Sequence, residues 1–128
     1  MDTSALVAIM LAEPERDTLR TAMSRAETCA VSAATLVEAR LVLHRRSGTA
    51  MVERLDAFLA SGEFDIIPVD IAQADAAHAA FVRYGKGSGH PAQLNFGDLF
   101  AYALAKTRGL PLLFKGDDFA QTDILAAA

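Results

Sequence analysis

The sequence predicts an α/β domain with a mainly parallel sheet covered by helices, because three short β-rich runs alternate with longer stretches whose apolar residues recur at helical spacing. The runs are "TCAVSA" (Thr28 to Ala33), "FDIIPVD" (Phe64 to Asp70) and "LPLLFK" (Leu110 to Lys115). At 128 residues and 52% hydrophobic content, the chain is long enough for one real core and too short for two. No linker or repeat divides it, so residues 1–128 read as a single domain.

Each element has local chemistry behind it. Asp2-Thr3-Ser4 ahead of an apolar run is helix-start chemistry, since short oxygen-bearing side chains satisfy the free N–H groups of a first turn. It predicts a helix from Ser4 to Ala12, stopped near Pro14. Glu15 to Arg25 reads as a second helix, with Leu19, Ala22, Met23 and Ala26 on one face. After the first strand, "ATLVEARLVLHRR" is a helix closed by Arg45, Arg46 and Gly48, the expected basic and glycine finish. Thr49 to Ser61 is the next, ended by Gly62. Asp70 caps a helix over Ile71 to Tyr84. The loop "GKGSGHPAQLN" leads to a helix from Phe96 to Thr107, where Asn95 and Asp98 imitate a capping box and Gly109 marks the end.

A net charge of −4 is unlike a typical nucleic-acid protein, which carries an excess of Lys and Arg. Acids gathered at a metal site, however, are cancelled locally by the ion they hold, so their placement matters more than their number. The single Cys29 forms no internal disulfide, which fits a reducing cytoplasm. The apolar stretch Ala5 to Ala12 is far short of the roughly 20 residues that span a bilayer, and no basic residue precedes it; a membrane is not expected.

Ligands of such folds gather beyond the carboxyl ends of the strands, and candidate acids stand there. Asp2 and Asp98 each have a capping role that explains them alone. Glu38, amid the apolar residues of "TLVEARLVL", lies near the core, where an acid needs a partner; Arg40 and Arg45 are the local candidates. Asp117 and Asp118 in "FKGDDF" also fit an ordinary Gly-Asp-Asp turn.

Other constellations fail. His44, His78 and His90 lack zinc spacing, and "GKGSG" lacks the Walker pattern and reads as a turn. Met10, Met23, Met51, Tyr84 and Tyr102 read as core. Asp-Thr-Ser is one form of the aspartic-protease motif, but those enzymes are all-β and the helices oppose it. Among the cations, Arg45 and Arg46 read as solvated helix ends. Arg40, Lys86 and Lys115 flank the acidic segments and could guide a phosphate backbone inward.

In chain order, "DTSALVAI", "TLVEARLVL", "YGKGSGHPAQLNFGDLFAYALAK" and "LPLLFKGDDFAQTDI" together resemble a PIN-domain nuclease of the VapC toxin type over nearly the whole chain. The resemblance implies a PIN-like three-layer sandwich. It gathers Asp2, Glu38, Asp98 and an acid after the last strand into one metal pocket. Asp118 matches the family's Asp-Phe pair, while Asp117 stands nearer the strand end, and both remain open. Family members carry several β residues before the first Asp, whereas only Met1 precedes Asp2 here, so the start is either shortened or a strand reduced to a stub.

By the same resemblance, Asp2 and Asp98 are the main ligands of magnesium, with manganese as the alternative. Glu38 and the last acid complete a second site or position the attacking water. Magnesium suits such a set, because it takes oxygen ligands, keeps several waters and needs only one or two carboxylates directly. The implied activity is that of a metal-dependent endoribonuclease that hydrolyses RNA with metal-activated water. The implied setting is the toxin of a toxin–antitoxin pair, a homodimer inhibited by a small VapB-like antitoxin. A PIN nuclease outside any toxin system and a non-catalytic PIN-fold binding module are the alternatives.

Overall fold

Cys29–Ser32 (β1) and Phe64–Ile67 (β2) pair in parallel, with Cys29 opposite Phe64 and Ser32 opposite Ile67. Parallel neighbours need a long crossover, and here two helices supply it, Ala33–Ser47 (α3) and Thr49–Ser61 (α4). The chain, described over all residues 1–128 by a computed structural model, also contains Thr3–Met10 (α1), Arg16–Ser24 (α2), Ile71–Tyr84 (α5) and Phe96–Arg108 (α6). A short 3-10 turn covers Phe119–Gln121.

The sheet continues past β1 only as fragments. The Met1 ammonium donates to Ala30 O at 2.7 Å and Asp2 N to Leu113 O at 2.9 Å, so Met1 and Asp2 bridge β1 to the next segment. Beyond them, Leu112 N donates to Leu125 O at 2.8 Å and Ala127 N to Leu112 O at 2.9 Å. The α/β architecture is as expected, but the strand expected over Leu110 to Lys115 is reduced to a single bridge, Leu112 with Ala126. Two features account for it: α1 begins at Thr3, so the neighbouring stub ends there, and Pro111 has no N–H to contribute.

The termini of the helices explain their lengths. Asp2 caps α1 through Ser4 N, Ser32 caps α3 through Ala34 N, and Asp70 caps α5 through Gln73 N at 2.8 Å. Asn95 and Asp98 form a full capping box on α6, which ends at Gly109 in the left-handed conformation (φ 62°). The same end motif closes α1: Glu13 N reaches Ala8 O, Ala12 N reaches Ile9 O, and Ala12 takes the left-handed position (φ 53°).

Two apolar clusters form the core. One surrounds α1, which is buried nearly all round, and includes Leu6, Val31, Leu43, Leu55 and Leu113. The other joins α5 to α6 through Tyr84, Leu94, Leu99 and Tyr102, with Leu112 and Phe119 closing it. Asp123 anchors the C-terminal segment on α6, accepting from Tyr102 Oη and Lys106 Nζ, both at 2.7 Å. No helix is long and apolar enough to cross a membrane.

Candidate active site

Asp2, Glu38 and Asp98 line one open cleft, together with Thr3, Ser4 and Lys115. Each carboxylate uses one oxygen for a bond that orients it and keeps the other free. Asp2, only 3% exposed, accepts from Ser4 N (2.9 Å) and Ser4 Oγ (2.6 Å) through Oδ2, while its buried Oδ1 has no partner. A buried, unpaired carboxylate oxygen is costly, and a cation is the partner that suits it. Ser4 Oγ in turn accepts from Lys115 N at 3.0 Å, tying α1 to the segment after Leu113.

Glu38, half-buried on α3, accepts a short hydrogen bond from Thr3 Oγ1 through Oε1. Its Oε2 lies against Gly97 at the head of α6, where any β-carbon would overlap it. Neither Arg40 nor Arg45 pairs with it. Asp98 accepts from Asn95 N (2.9 Å) through Oδ2 as part of the capping box. Burial pushes the Asp98 carboxyl up from its ordinary 3.8 to about 6 against the lowering effect of the Asn95 hydrogen bond, and the charges of Asp2, Asp118 and Glu38 push in the same direction as burial. Asp118 acts on Asp98 through its charge, but neither Asp117 nor Asp118 lines the cleft with Asp2, Glu38 and Asp98.

No three His, Cys, Asp or Glu side chains are arranged to enclose an ion by themselves. The donors that face the cleft are all hard carboxylate oxygens, and a magnesium ion that keeps its waters asks no more than one or two of them.

The expected cations are placed unequally. Lys115 lines the cleft, with its Nζ 2.5 Å from Glu13 Oε2 and 3.2 Å from Glu15 Oε2. Arg40 pairs with Asp56 of α4 at 3.0 Å and does not line the cleft. Lys86 sits exposed on the loop between α5 and α6, whose ends are pinned by bonds between Leu94 and both Tyr84 and Lys86. That loop is the turn expected from "GKGSG". Arg46 and Glu13, by contrast, do line the cleft.

The hydroxyls of Thr3 and Ser4 are the contribution that sequence reasoning undervalued: beyond helix-start chemistry, they hold Glu38 and Asp2. Gly97, within "NFGD", was equally unremarked, and its signal was a glycine inside an otherwise good helix. A separate apolar hollow, lined by Met1, Met23, Ala30, Leu104 and Leu112 among others, contains no acid.

Comparison with known proteins shows the family. The PIN domain family matches residues 1–125. A protein of Mycolicibacterium smegmatis named Ribonuclease VapC is 45% identical over 126 residues, covering 98% of this chain and 97% of that one. Ribonuclease VapC30 of Mycobacterium tuberculosis is 44% identical over 128 residues, covering 100% and 97%. The crystal structure of Mycobacterium tuberculosis VapC20, described as a Sarcin-Ricin loop cleaving toxin, superposes with a TM-score of 0.77 at 20% identity, covering 97% of this chain and 94% of that one. That likeness speaks for the fold, and the two closer sequences speak for the branch. The chain belongs to the PIN-domain family, within its VapC ribonuclease group.

Proposed function

We propose that this VapC-family chain is a magnesium-dependent endoribonuclease and the toxin of a toxin–antitoxin pair. The observation that carries the reading is geometric: Asp2, Glu38 and Asp98 line one cleft, and the buried Asp2 Oδ1 has no partner there. Such a set is strained as it stands and is relieved by a divalent ion.

Asp2 and Asp98 would hold the ion with their free oxygens, and magnesium fits these hard donors, as manganese does. When bound, the ion supplies Lewis acidity, which makes a water acidic enough to attack near neutral pH and screens the phosphoryl oxygens. The remaining chemistry belongs to the chain. Thr3 fixes Glu38 through Oε1, which leaves Oε2 to accept a proton from the attacking water. Asp118, exposed at the start of the 3-10 turn, is the acid after the last strand whose charge reaches Asp98, and it or its neighbour Asp117 would orient that water. Ser4 keeps Asp2 aligned through two hydrogen bonds, so the ligand does not have to reorganise as charge develops. Lys115 is a cation of the cleft itself, while Lys86 and Arg40, which do not line it, would serve as outlying phosphate contacts.

The names of the relatives support an RNA substrate and a VapB-like antitoxin. Exposed apolar side chains, Val37 and Leu41 on α3 and Phe81 and Val82 on α5, offer surface to the antitoxin and to a second copy of the chain in a cytoplasmic homodimer. The test is purified protein on total cellular RNA, in magnesium and in EDTA. Discrete cleavage that needs magnesium is the expected result, and equal cleavage in EDTA would refute the reading.

A further inference from the structure

Two cations line the acid cleft, Lys115 and Arg46, and one residue holds both. Glu13 Oε2 meets Lys115 Nζ at 2.5 Å and Glu13 Oε1 meets Arg46 Nη1 at 3.4 Å, so both carboxylate oxygens are committed. The two cations come from distant parts of the chain, the end of α3 and the segment after Leu113, and only Glu13 connects them. Its own backbone is fixed by the end motif of α1, with Glu13 N bonded to Ala8 O and Glu13 O accepting from Arg16 N, both at 2.9 Å. The side chain is largely covered, at 23% exposure, which is low for a surface glutamate.

A negative charge at the mouth of a cleft that must admit a polyanion is unfavourable unless it does something else. Lys and Arg side chains lose considerable rotamer freedom when they grip a phosphate, and a carboxylate that holds them in place beforehand removes much of that loss. We infer that Glu13 is a positioning residue that sets Lys115 and Arg46 side by side at the cleft mouth as the contacts for the RNA phosphates flanking the scissile bond. This rests on the ribonuclease reading above and extends it to a residue outside the acids.

The sign of the effect separates positioning from charge. Removing an acid from the mouth should tighten RNA binding if only net charge matters. Positioning demands the reverse. The probe is a fluorescently labelled single-stranded RNA decamer of mixed sequence, bound by the full-length protein in calcium, a hard cation that occupies oxygen sites with less strict geometry than magnesium. Glu13→Gln should bind about fivefold more weakly than the parent at moderate salt. Its dependence of log affinity on log salt should be shallower by about one, the loss of one to two phosphate contacts on a single strand.

Glu13→Asp keeps the charge but is one methylene too short to reach both cations, so it should weaken binding in the same direction. Thermal melts establish that both variants are folded. In magnesium, at saturating protein, single-turnover cleavage of total cellular RNA by Glu13→Gln should return to the parent's rate, because positioning of this kind acts on binding. Binding by both variants as tight as the parent's, or tighter, with an unchanged salt slope, overturns the inference while leaving the ribonuclease reading intact. A rate that stays low at saturation also overturns it, since Glu13 would then act through Lys115 and Ser4 on Asp2. A parent that neither binds nor cuts RNA removes both.

Discussion

Asp98→Asn should raise the stability of the metal-free protein at alkaline pH while abolishing cleavage. The Asp98 carboxyl, raised from 3.8 to about 6 by burial first and by the neighbouring acids second, is harder to ionise folded than unfolded. A carboxyl shifted in that direction favours the fold below about pH 4, and the contribution is lost as the pH rises through about 6. At full burial the shift corresponds to about 3 kcal/mol. Because the side chain is partly exposed, solvent screening reduces this to about 1–2 kcal/mol. Asparagine keeps an oxygen for Asn95 N, but loses a negative charge at a helix N-terminus, at a cost of about 0.5 kcal/mol.

The net gain at pH 8 is therefore about 1 kcal/mol, or roughly 4 °C in Tm for a domain of this size. Thermal melts in EDTA at constant ionic strength, across a pH series from acid to mildly alkaline, provide the assay. The advantage of the variant should shrink toward zero, or reverse, on the acid side. A variant that melts below the parent by the same margin at every pH would refute the reasoning, because Asp98 would then be simply a favourable cap.

Other perturbations follow from the same geometry. Gly97→Ala places a methyl on Glu38 Oε2, the end of a flexible side chain that can swing aside, so it should cost less than about 1 kcal/mol in a denaturant melt while displacing that carboxylate and cutting RNA cleavage about tenfold or more; cleavage at the parent's rate would contradict it. Ala12→Gly relieves a left-handed alanine and should add about 0.5 kcal/mol in urea unfolding, net of the entropy glycine loses on folding; a destabilised variant would argue against strain at that turn. Prefixing two or three β-branched residues to Met1 should raise Tm and tighten magnesium binding. The buried Met1 ammonium, whose pKa burial lowers, would become an ordinary peptide N–H, and Leu113 N–H, now without an acceptor in the chain, would gain a neighbour. Unchanged melting and metal affinity would show that the two-residue bridge already suffices.

Most of the fold was legible because the punctuation is local. Asp70 and Tyr84 bound α5 where composition placed them, and Gly48 and Gly62 bound α4 likewise. What could not be read was non-local. Leu110 to Lys115 has strand composition, but whether it forms a ladder depends on a neighbour over a hundred residues away that offers only Met1 and Asp2. Local spacing suggested Arg40 or Arg45 as partners of Glu38, yet its partner is Thr3, brought close by the packing of α1 on α3. Lys115 read as a cation facing phosphate, beside Asp117 and Asp118; Glu13 and Glu15, about a hundred residues away in sequence, bind it from the turn between α1 and α2. That Asp2, Glu38 and Asp98 share one cleft, and that Asp117 and Asp118 lie outside its lining, is a product of the tertiary fold.

The most direct test of the account is the binding of manganese, a paramagnetic stand-in for magnesium, to the parent and to Asp2→Asn. Free ion is counted by electron paramagnetic resonance, and RNA cleavage is followed in parallel samples. Asparagine preserves the oxygen that accepts from Ser4 N, so α1 keeps its cap and the variant should fold. The account predicts that the parent binds manganese in the cleft and cuts RNA, and that Asp2→Asn, folded, loses both. If Asp2→Asn takes up the same number of ions with the same affinity and still cuts RNA, the buried oxygen of Asp2 is no ligand and the proposed metal site is wrong.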